Sequence, residues 1–388
     1  MIPIDRVGTA FRAEASAETL ADLRRRLEWT RLPTEQAGPD WQTGTPLTYA
    51  SRLRDYWLHE FDWRRWEARI NAYPQRMVEI DGQQIHVIIE SGSGEQPLPL
   101  VMTNGWPGSF LEFIDLIDQL AHPEKHGGRI EDAFTVVIPS LPGYGFSPPP
   151  GAPISPAEIA RLWWKLMTQT LGCDRYVAYG SDWGSLVTAL LALDYPERLD
   201  GILLTSPGFV PTITEAAPLT KEEASWQQRA DRAMRSESGY QMVQGTKPQS
   251  LAYGHTDSPI GLASWVIEKF HAWTIPGSHE DPPFRMDELL ANVMLYWLNG
   301  AVAPMWLYFF LQDVTTIAPG RKATVPAGFL FAPGDLVVPP PRSWLERSFN
   351  VALYRVMDSG GHFPGMDNAE QLVPELRAFF GRTARQPE

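Results

Sequence analysis

The chain has 388 residues, 44% hydrophobic and 20% charged, enough for one large or two modest globular domains. Its formal net charge of −13 argues against binding to nucleic acid or to an anionic membrane surface. The single cysteine, Cys173, excludes an internal disulfide and predicts a buried thiol in a cytoplasmic protein. No apolar run has the length of a membrane span, and residues 1–9 lack a signal-peptide core, so we expect a soluble protein.

The N-terminal residues are predicted to be helical and then to change to strands. One helix is predicted within residues 10–30, with Ser16 as its N-cap, and a second around residues 46–59. Strand periodicity begins at residue 77, and residues 77–90 predict a hairpin. This aromatic-rich segment contains no reactive group of side chains, which favours a packing role for it.

From residue 97 onward, short apolar runs alternate with helical periodicity. Strands are predicted at residues 97–103, 134–139, 201–205, 326–332 and 351–357 and in the run from Arg175, with helices at residues 154–171, after Asp182, and at 369–380. Such alternation is typical of α/β proteins with a parallel sheet.

Residues 208–321 interrupt this alternation. They contain helical patches at residues 222–235, 259–273 and 287–298, and we expect no strand among them. A helical insertion after a strand of such a sheet predicts a cap over the site. We therefore expect an N-terminal segment over residues 1–95, a core over 96–207 and 322–388, and a cap over 208–321.

The central motif is Gly180-Ser181-Asp182-Trp183-Gly184, between a predicted strand and a predicted helix. A nucleophile in so sharp a turn needs small residues two positions to each side, and serine is its usual occupant. Ser181 does not fit, because Tyr179 and Trp183 would then occupy the small positions. The carboxylate of Asp182 could attack an electrophilic sp3 carbon and form an ester. The alternative is that Asp182 only caps the following helix.

The other members of a catalytic triad follow in the order that the α/β-hydrolase fold requires. Gly334-Asp335 follows the strand at 326–332, and Gly360-Gly361-His362 follows the last strand. His362 is the predicted base and Asp335 the acid that orients its imidazole. Asp358 is a rival acid, four residues before His362.

Asn104-Gly105-Trp106-Pro107 ends the strand expected beside the nucleophile. Main-chain N–H groups of Trp106 and Trp183 are predicted to form an oxyanion hole, while Asn104 and Pro107 are expected to line the pocket. Such donors are needed when water attacks the carbonyl of an Asp182 ester.

The leaving group would separate two reaction classes. A halide needs N–H donors, for which Trp183 is the candidate, whereas an epoxide oxygen needs O–H donors. Tyr240 and Tyr308 are the best candidates among the cap tyrosines, with Tyr253 and Tyr296 as competitors.

Together these motifs resemble the microsomal-type epoxide hydrolases over nearly the whole chain. The similarity lies in residues 23–33, 56–64, 80–86, 139–147, 180–185, 237–240, 246–248 and 257–262. The resemblance implies an N-terminal domain that wraps the core and lies against the cap. It also implies that Asp182 is the nucleophile, His362 the base, Asp335 the acid, and Tyr240 and Tyr308 the ring-opening donors. It implies an epoxide and water as reactants. We expect no metal or organic cofactor, because the sequence has no HExxH motif and no glycine-rich fingerprint that opens a helix after the first strand.

The sequence departs from the family pattern at two places. Asn104 stands where the family usually has histidine, and residues 303–306 replace a Ser-Ser-x-Arg run before the second tyrosine. Both changes predict a more apolar pocket and a bulky aromatic substrate, in a dedicated role such as secondary-metabolite biosynthesis. A haloalkane-type dehalogenase and a non-catalytic binding protein on the same fold remain alternatives. The oligomeric state, for example a homodimer, is left open.

Overall fold

The computed structural model describes residues 4–34, 40–274, 281–301, 303–310 and 316–384. Its strands are β1 (Thr9–Ala10), β2 (Gln75–Ile80), β3 (Gln83–Glu90), β4 (Leu98–Thr103), β5 (Phe134–Pro139), β6 (Tyr176–Ser181), β7 (Leu199–Thr205), β8 (Val210–Pro211), β9 (Thr316–Ile317), β10 (Pro326–Phe331) and β11 (Asn350–Val356). Strands β1–β7, β10 and β11 form one sheet in the order β1-β2-β3-β5-β4-β6-β7-β10-β11.

Helices precede, connect and follow these strands. They are α1 (Ala17–Glu28), α2 (Leu47–His59), α3 (Trp63–Ile70), α4 (Ile117–Ala121), α5 (Pro156–Lys165), α6 (Trp183–Asp194), α7 (Lys221–Glu237), α8 (Gly239–Thr246), α9 (Pro248–Asp257), α10 (Pro259–Ala272), α11 (Met286–Leu298), α12 (Ala303–Trp306), α13 (Arg342–Glu346), α14 (Pro364–Asp367) and α15 (Ala369–Thr383). Ser16 caps α1, and Ser155 starts α5 with a reciprocal capping box, because each hydroxyl accepts a first-turn N–H that has no helical partner.

The sheet is mixed, and the prediction of a parallel sheet is correct for part of it. Strands β5, β4, β6, β7, β10 and β11 are parallel, whereas β1, β2 and β3 are antiparallel at one edge. The predicted hairpin forms β2 and β3, and Asp81 and Gly82 both adopt positive φ in its two-residue turn. This is an α/β-hydrolase fold, and its site lies where the parallel strands end.

The cap runs from α7 to α12 and is helical, as predicted, with one exception. The prediction of no strand in residues 208–321 is wrong, because β8 pairs in parallel with β9. Thr212 extends this contact by donating its N–H to the Ile317 carbonyl at 3.0 Å. The two strands join the start and end of the insertion, and two residues are too few to show a period in the sequence.

The N-terminal segment packs against the cap. The ring of Trp41 stacks on His271 with centroids 4.2 Å apart, and Thr45 donates its hydroxyl to the Ser264 carbonyl at 2.8 Å. Arg26 and Asp257 form an ion pair of 2.6 Å between α1 and the end of α9. These contacts agree with the arrangement that the resemblance implies, while the proposed domain boundaries stay predictions.

Helix α11 is fixed directly above the loop that follows β4. Asn292 donates its amide to the Pro107 carbonyl at 2.7 Å, and Tyr296 donates its hydroxyl to the Gly108 carbonyl at 2.8 Å. These buried bonds hold the cap in register with the core.

Within the described ranges, no single helix is both long and apolar enough to cross a membrane. The bent pair Met286–Leu298 and Ala303–Phe310 meets the criterion together, by length and composition alone.

Candidate active site

Asp182 occupies a strained turn between β6 and α6. Its backbone has φ 53° and ψ −123°, a conformation that non-glycine residues rarely adopt. A Cβ on Gly180 would lie 2.2 Å from the Gly184 carbonyl oxygen, and one on Gly184 would lie 1.9 Å from the Thr103 oxygen. The turn therefore needs both glycines. Asp182 makes no side-chain capping bond to α6, so its carboxylate is free for other contacts.

The loop after β4 approaches the Asp182 carboxylate closely. The main-chain N–H of Trp106 donates to Oδ1 of Asp182 at 2.9 Å. A Cβ on Gly105 would lie 2.0 Å from the same oxygen, so the close approach needs glycine there. Trp183 is the first residue of α6, where an N–H has no acceptor within the helix. Asn104 is buried, and its amide donates to the Gly105 carbonyl at 3.0 Å, so its contact is with the loop itself.

His362 and Asp335 lie beside the carboxylate, as the strand order requires. His362 Nε2 is 3.4 Å from Oδ2 of Asp182, and His362 Nδ1 is 2.8 Å from Oδ1 of Asp335. The two side chains of this second pair are 3% and 2% exposed, which limits screening by water. Asp335 also accepts the Val337 N–H at 3.2 Å and the hydroxyl of Ser206, so its orientation is fixed.

Burial lowers the pKa of His362, but the charges of Asp335 and Asp182, together with the hydrogen bond to Asp335, outweigh burial and raise this pKa to about 10. The imidazole is consequently protonated at neutral pH. Loss of the negative charge of Asp182 would therefore lower the pKa of His362, because this charge stabilises the protonated imidazole.

Tyr240 and Tyr308 lie on the cap side of the same space, with ring centroids 5.5 Å apart. Burial, followed for Tyr240 by the charge of Asp182, raises the pKa of both hydroxyls well above 10. Both therefore stay protonated over the physiological range and can donate hydrogen bonds. The Tyr308 hydroxyl is buried beside Tyr240 and the Trp183 indole, without a hydrogen bond of standard geometry to any described residue. A buried donor without an acceptor is unusual in a folded protein.

A cavity of about 370 Å³ joins the two sides of the site. Asp182, His362, Tyr240 and Tyr308 all border it. Its remaining wall is mainly apolar and aromatic, and includes Trp183, Phe209, Trp226, Leu336, Trp344 and Leu345. An apolar pocket with a few convergent polar groups is the usual form of a small-molecule site.

The alternative candidates for the acid and for the ring-opening donors lie on the surface or are bonded to other groups. Asp358 is exposed, and its N–H donates to Gln371. Tyr253 is 71% exposed, and the Tyr296 hydroxyl is already bonded to the Gly108 carbonyl. Pro107 contributes its carbonyl to the bond with Asn292, so its contact is with the cap.

Three residues at the site were not anticipated. Ser206 bonds to Asp335, and buried Glu112 accepts the Ser181 hydroxyl at 3.3 Å. The carbonyl of Trp273 accepts the His362 N–H at 2.8 Å, and the Trp273 ring contacts His362 with centroids 4.8 Å apart. Ser206 directly follows β7, which is a weak signal for a site residue, whereas Glu112 and Trp273 give none.

Glu112 is a buried carboxyl group with a raised pKa, and it is bonded to Ser181, the residue that precedes the nucleophile. Burial raises its pKa to about 8, and the nearby charge of His362 only partly opposes this shift.

As for metal ligands, the part of the chain that the structure describes has no group of three or more His, Cys, Asp or Glu placed to hold an ion.

The chain is similar in sequence and fold to known proteins. The family described as epoxide hydrolase N terminus matches residues 8–113, and the alpha/beta hydrolase fold family matches residues 99–238. A Stigmatella aurantiaca relative is 38% identical over 96% of this chain and 84% of its own length. Epoxide hydrolase 1 of Oryctolagus cuniculus is 30% identical over 97% of this chain and 89% of its own length. The solved structure of Aspergillus niger epoxide hydrolase is similar with a TM-score of 0.82, 28% identity and 99% coverage of both chains. The chain therefore belongs to the microsomal-type epoxide hydrolases of the α/β-hydrolase superfamily.

Proposed function

We propose that this epoxide hydrolase forms a vicinal diol through a covalent ester on Asp182. The observation that carries the proposal is the position of this carboxylate at a cavity that two buried tyrosines also border. His362, Asp335 and the Trp106 N–H contact the same carboxylate or each other, so they can serve the hydrolysis of an ester formed there.

In the first step, one oxygen of Asp182 attacks an epoxide carbon, and the C–O bond of the ring breaks. Tyr240 and Tyr308 hydrogen-bond the epoxide oxygen, and one of them transfers its proton to the developing alkoxide. The products of this step are a hydroxyalkyl ester and a tyrosinate. The protonated His362 can supply the proton that restores the tyrosine.

In the second step, His362 is the base for a water molecule. Ester formation neutralises Asp182, which lowers the pKa of His362 from its resting value of about 10 and frees the imidazole to accept a proton. The resulting hydroxide attacks Cγ of Asp182. The Trp106 and Trp183 N–H groups stabilise the oxyanion, and collapse releases the diol and the carboxylate. The proposed steps use only water and side chains of this chain.

We further propose that the substrate carries a bulky aromatic or apolar group. The aromatic wall formed by Trp226, Trp344 and Phe209 supports this, because apolar surface favours apolar groups. A role in secondary metabolism, on an aryl epoxide, stays a prediction.

The test is a single turnover of styrene oxide in 18O-labelled water with enzyme in excess. The expected result is unlabelled diol and 18O in the peptide that contains Asp182, because water attacks the ester carbonyl. Labelled diol with an unlabelled peptide would mean direct attack by water and would reject the ester. No diol and no adduct with any of a panel of aryl and alkyl epoxides would favour a binding protein.

A dehalogenase reaction is the second candidate, and one observation favours it. The Trp106 indole N–H is buried without a partner among the described residues, and such donors suit a halide ion. Release of chloride or bromide from haloalkanes at a rate comparable with epoxide turnover would support this reaction.

A further inference from the structure

Lys269 is a buried lysine that lies beside Tyr240 in the cap. It is located on α10 and is 8% exposed. Its Nζ atom is 5.2 Å from the ring centroid of Tyr240 and 5.8 Å from that of Trp273. Lysine is rarely buried to this extent, because removing the ammonium group from water is unfavourable.

Two carboxylates accompany this lysine. Glu268 Oε2 is 2.6 Å from Lys269 Nζ, and Glu237 Oε2 is 3.5 Å away. Glu237 also accepts the indole N–H of Trp273 at 3.3 Å, which links the charged group to the aromatic cluster around Tyr240. An apolar side chain of similar volume would commonly fill a buried position at least as well as an ion pair. The packing alone therefore does not explain a cation here.

The Tyr240 ring is held against Lys269 by its other neighbours. The Trp106 ring stacks on it at 5.0 Å with an interplanar angle of 13°, and the Trp273 ring lies 5.1 Å away. A phenol has little freedom in this arrangement, so the distance between the ammonium group and the ring is fixed.

A cation near an aromatic ring is attracted to its electron density, and the attraction increases when the ring gains negative charge. A tyrosine that gives its proton to an epoxide oxygen gains such charge. We propose that Lys269 is a positioning residue that makes Tyr240 the stronger proton donor for epoxide opening, by stabilising the charge that develops on its ring. This inference rests on the proposed function, because it assigns a task to Tyr240 within that reaction.

The two tyrosines differ in this respect. Among the described residues, no lysine or arginine has a cation–π contact with Tyr308, whose ring instead meets the edges of Trp183 and Trp106. Tyr308 would then mainly hold the epoxide oxygen, and Tyr240 would supply the proton.

The test measures ester formation and ester hydrolysis separately, by rapid-quench mass spectrometry with styrene oxide. The comparison is between Glu237→Gln/Glu268→Gln and the same variant with Lys269→Met added, so that removal of the cation leaves neither carboxylate unpaired. We expect about tenfold slower ester formation when Lys269→Met is added. Ester hydrolysis should be unchanged. Lys269→Arg should retain part of the rate, while Lys125→Met, an exposed lysine, should behave as wild type.

The decisive readout is the same comparison in two further backgrounds. With Tyr240→Phe, removal of the cation should change ester formation less than twofold, since no proton remains to be made more acidic. With Tyr308→Phe, the tenfold effect should persist. An equal effect in all backgrounds, or slowing of both steps, would overturn the inference and indicate a structural role. Failure of wild-type enzyme to form any ester would instead reject the proposed function.

Discussion

The core half and the cap half of the site differ in how they hold charge. On the core side, His362, Asp335 and Glu112 are buried ionisable groups, and the partly exposed carboxylate of Asp182 lies beside them in one loop-and-strand network. On the cap side, Tyr240 and Tyr308 are neutral donors, whose pKa values burial raises far above the physiological range. The difference suggests a division of labour, in which the core makes and breaks the ester and the cap stabilises the opened ring.

The strongest test of this division is to remove the nucleophile from the core. Asp182→Ala should lose all turnover, because within the described ranges no other carboxylate accepts the main-chain N–H of Trp106. Diol formation by gas chromatography would measure this loss. Asp358→Ala, which changes an exposed acid near His362, is the matched control and should retain wild-type activity. Residual turnover above trace in Asp182→Ala would reject the covalent route.

Removing the base should separate the two steps within the core. His362→Gln should still open the epoxide and then accumulate the ester, since glutamine cannot take a proton from water. Intact-protein mass spectrometry should therefore find one added substrate mass. Digestion and peptide mapping should locate this mass on the peptide that contains Asp182. If the variant turns over normally, or forms no adduct, His362 is not the hydrolytic base.

Changes in the cap should affect only the opening of the ring. Tyr240→Phe should slow ester formation by roughly 100- to 10,000-fold, the usual effect of losing a general acid. Tyr308→Phe should slow it less, by about tenfold, because only a hydrogen bond to the epoxide oxygen is lost. Stopped-flow fluorescence from the nearby tryptophans would follow this step. Tyr253→Phe, which changes an exposed tyrosine, is the control. Normal ester formation by Tyr308→Phe would limit the cap's chemistry to Tyr240.

The smallest effect is on stability, and it should come from Glu112 in the core. The pKa of Glu112 is raised from 4.5 to about 8, so between these pH values the folded protein keeps a proton that the unfolded chain has lost. The free energy of unfolding contributed by Glu112 consequently falls as the pH rises through this window. Glu112→Gln removes this dependence, and its stability relative to wild type should increase by on the order of 2–4 kcal/mol from pH 5 to pH 8.

Urea unfolding at both pH values would measure this difference. Exposed Glu131→Gln should give a constant offset, and a constant offset in Glu112→Gln would show that Glu112 does not titrate in this window.

Local features of the sequence were enough to predict much of this arrangement. The caps at Ser16 and Ser155 and the turn at Asp182 depend on neighbours within a few residues, so short motifs reveal them. The order of Asp182, Asp335 and His362 follows from the fold, and the structure brings the three together.

Features that depend on distant contacts could not be predicted in the same way. The antiparallel edge of the sheet is fixed by the pairing of β3 with β5, which lie more than forty residues apart. Ser206 meets Asp335 across 129 residues, and Glu112 meets Ser181 across 69. Nothing in the local sequence of Glu112 or Lys269 distinguishes it from a surface residue, because burial is decided by the packing of other elements.

The bond between the His362 N–H and the Trp273 carbonyl has a consequence for how molecules reach the site. Trp273 is the C-cap residue directly after the cap helix α10, and its ring also contacts Tyr240. A cap that lifted like a hinged lid would detach the loop that carries His362 each time it opened. We therefore expect substrate and product to pass through the opening of the cavity while the cap stays in place. The width of this opening, rather than a closing motion of the cap, would then limit the size of the substrate.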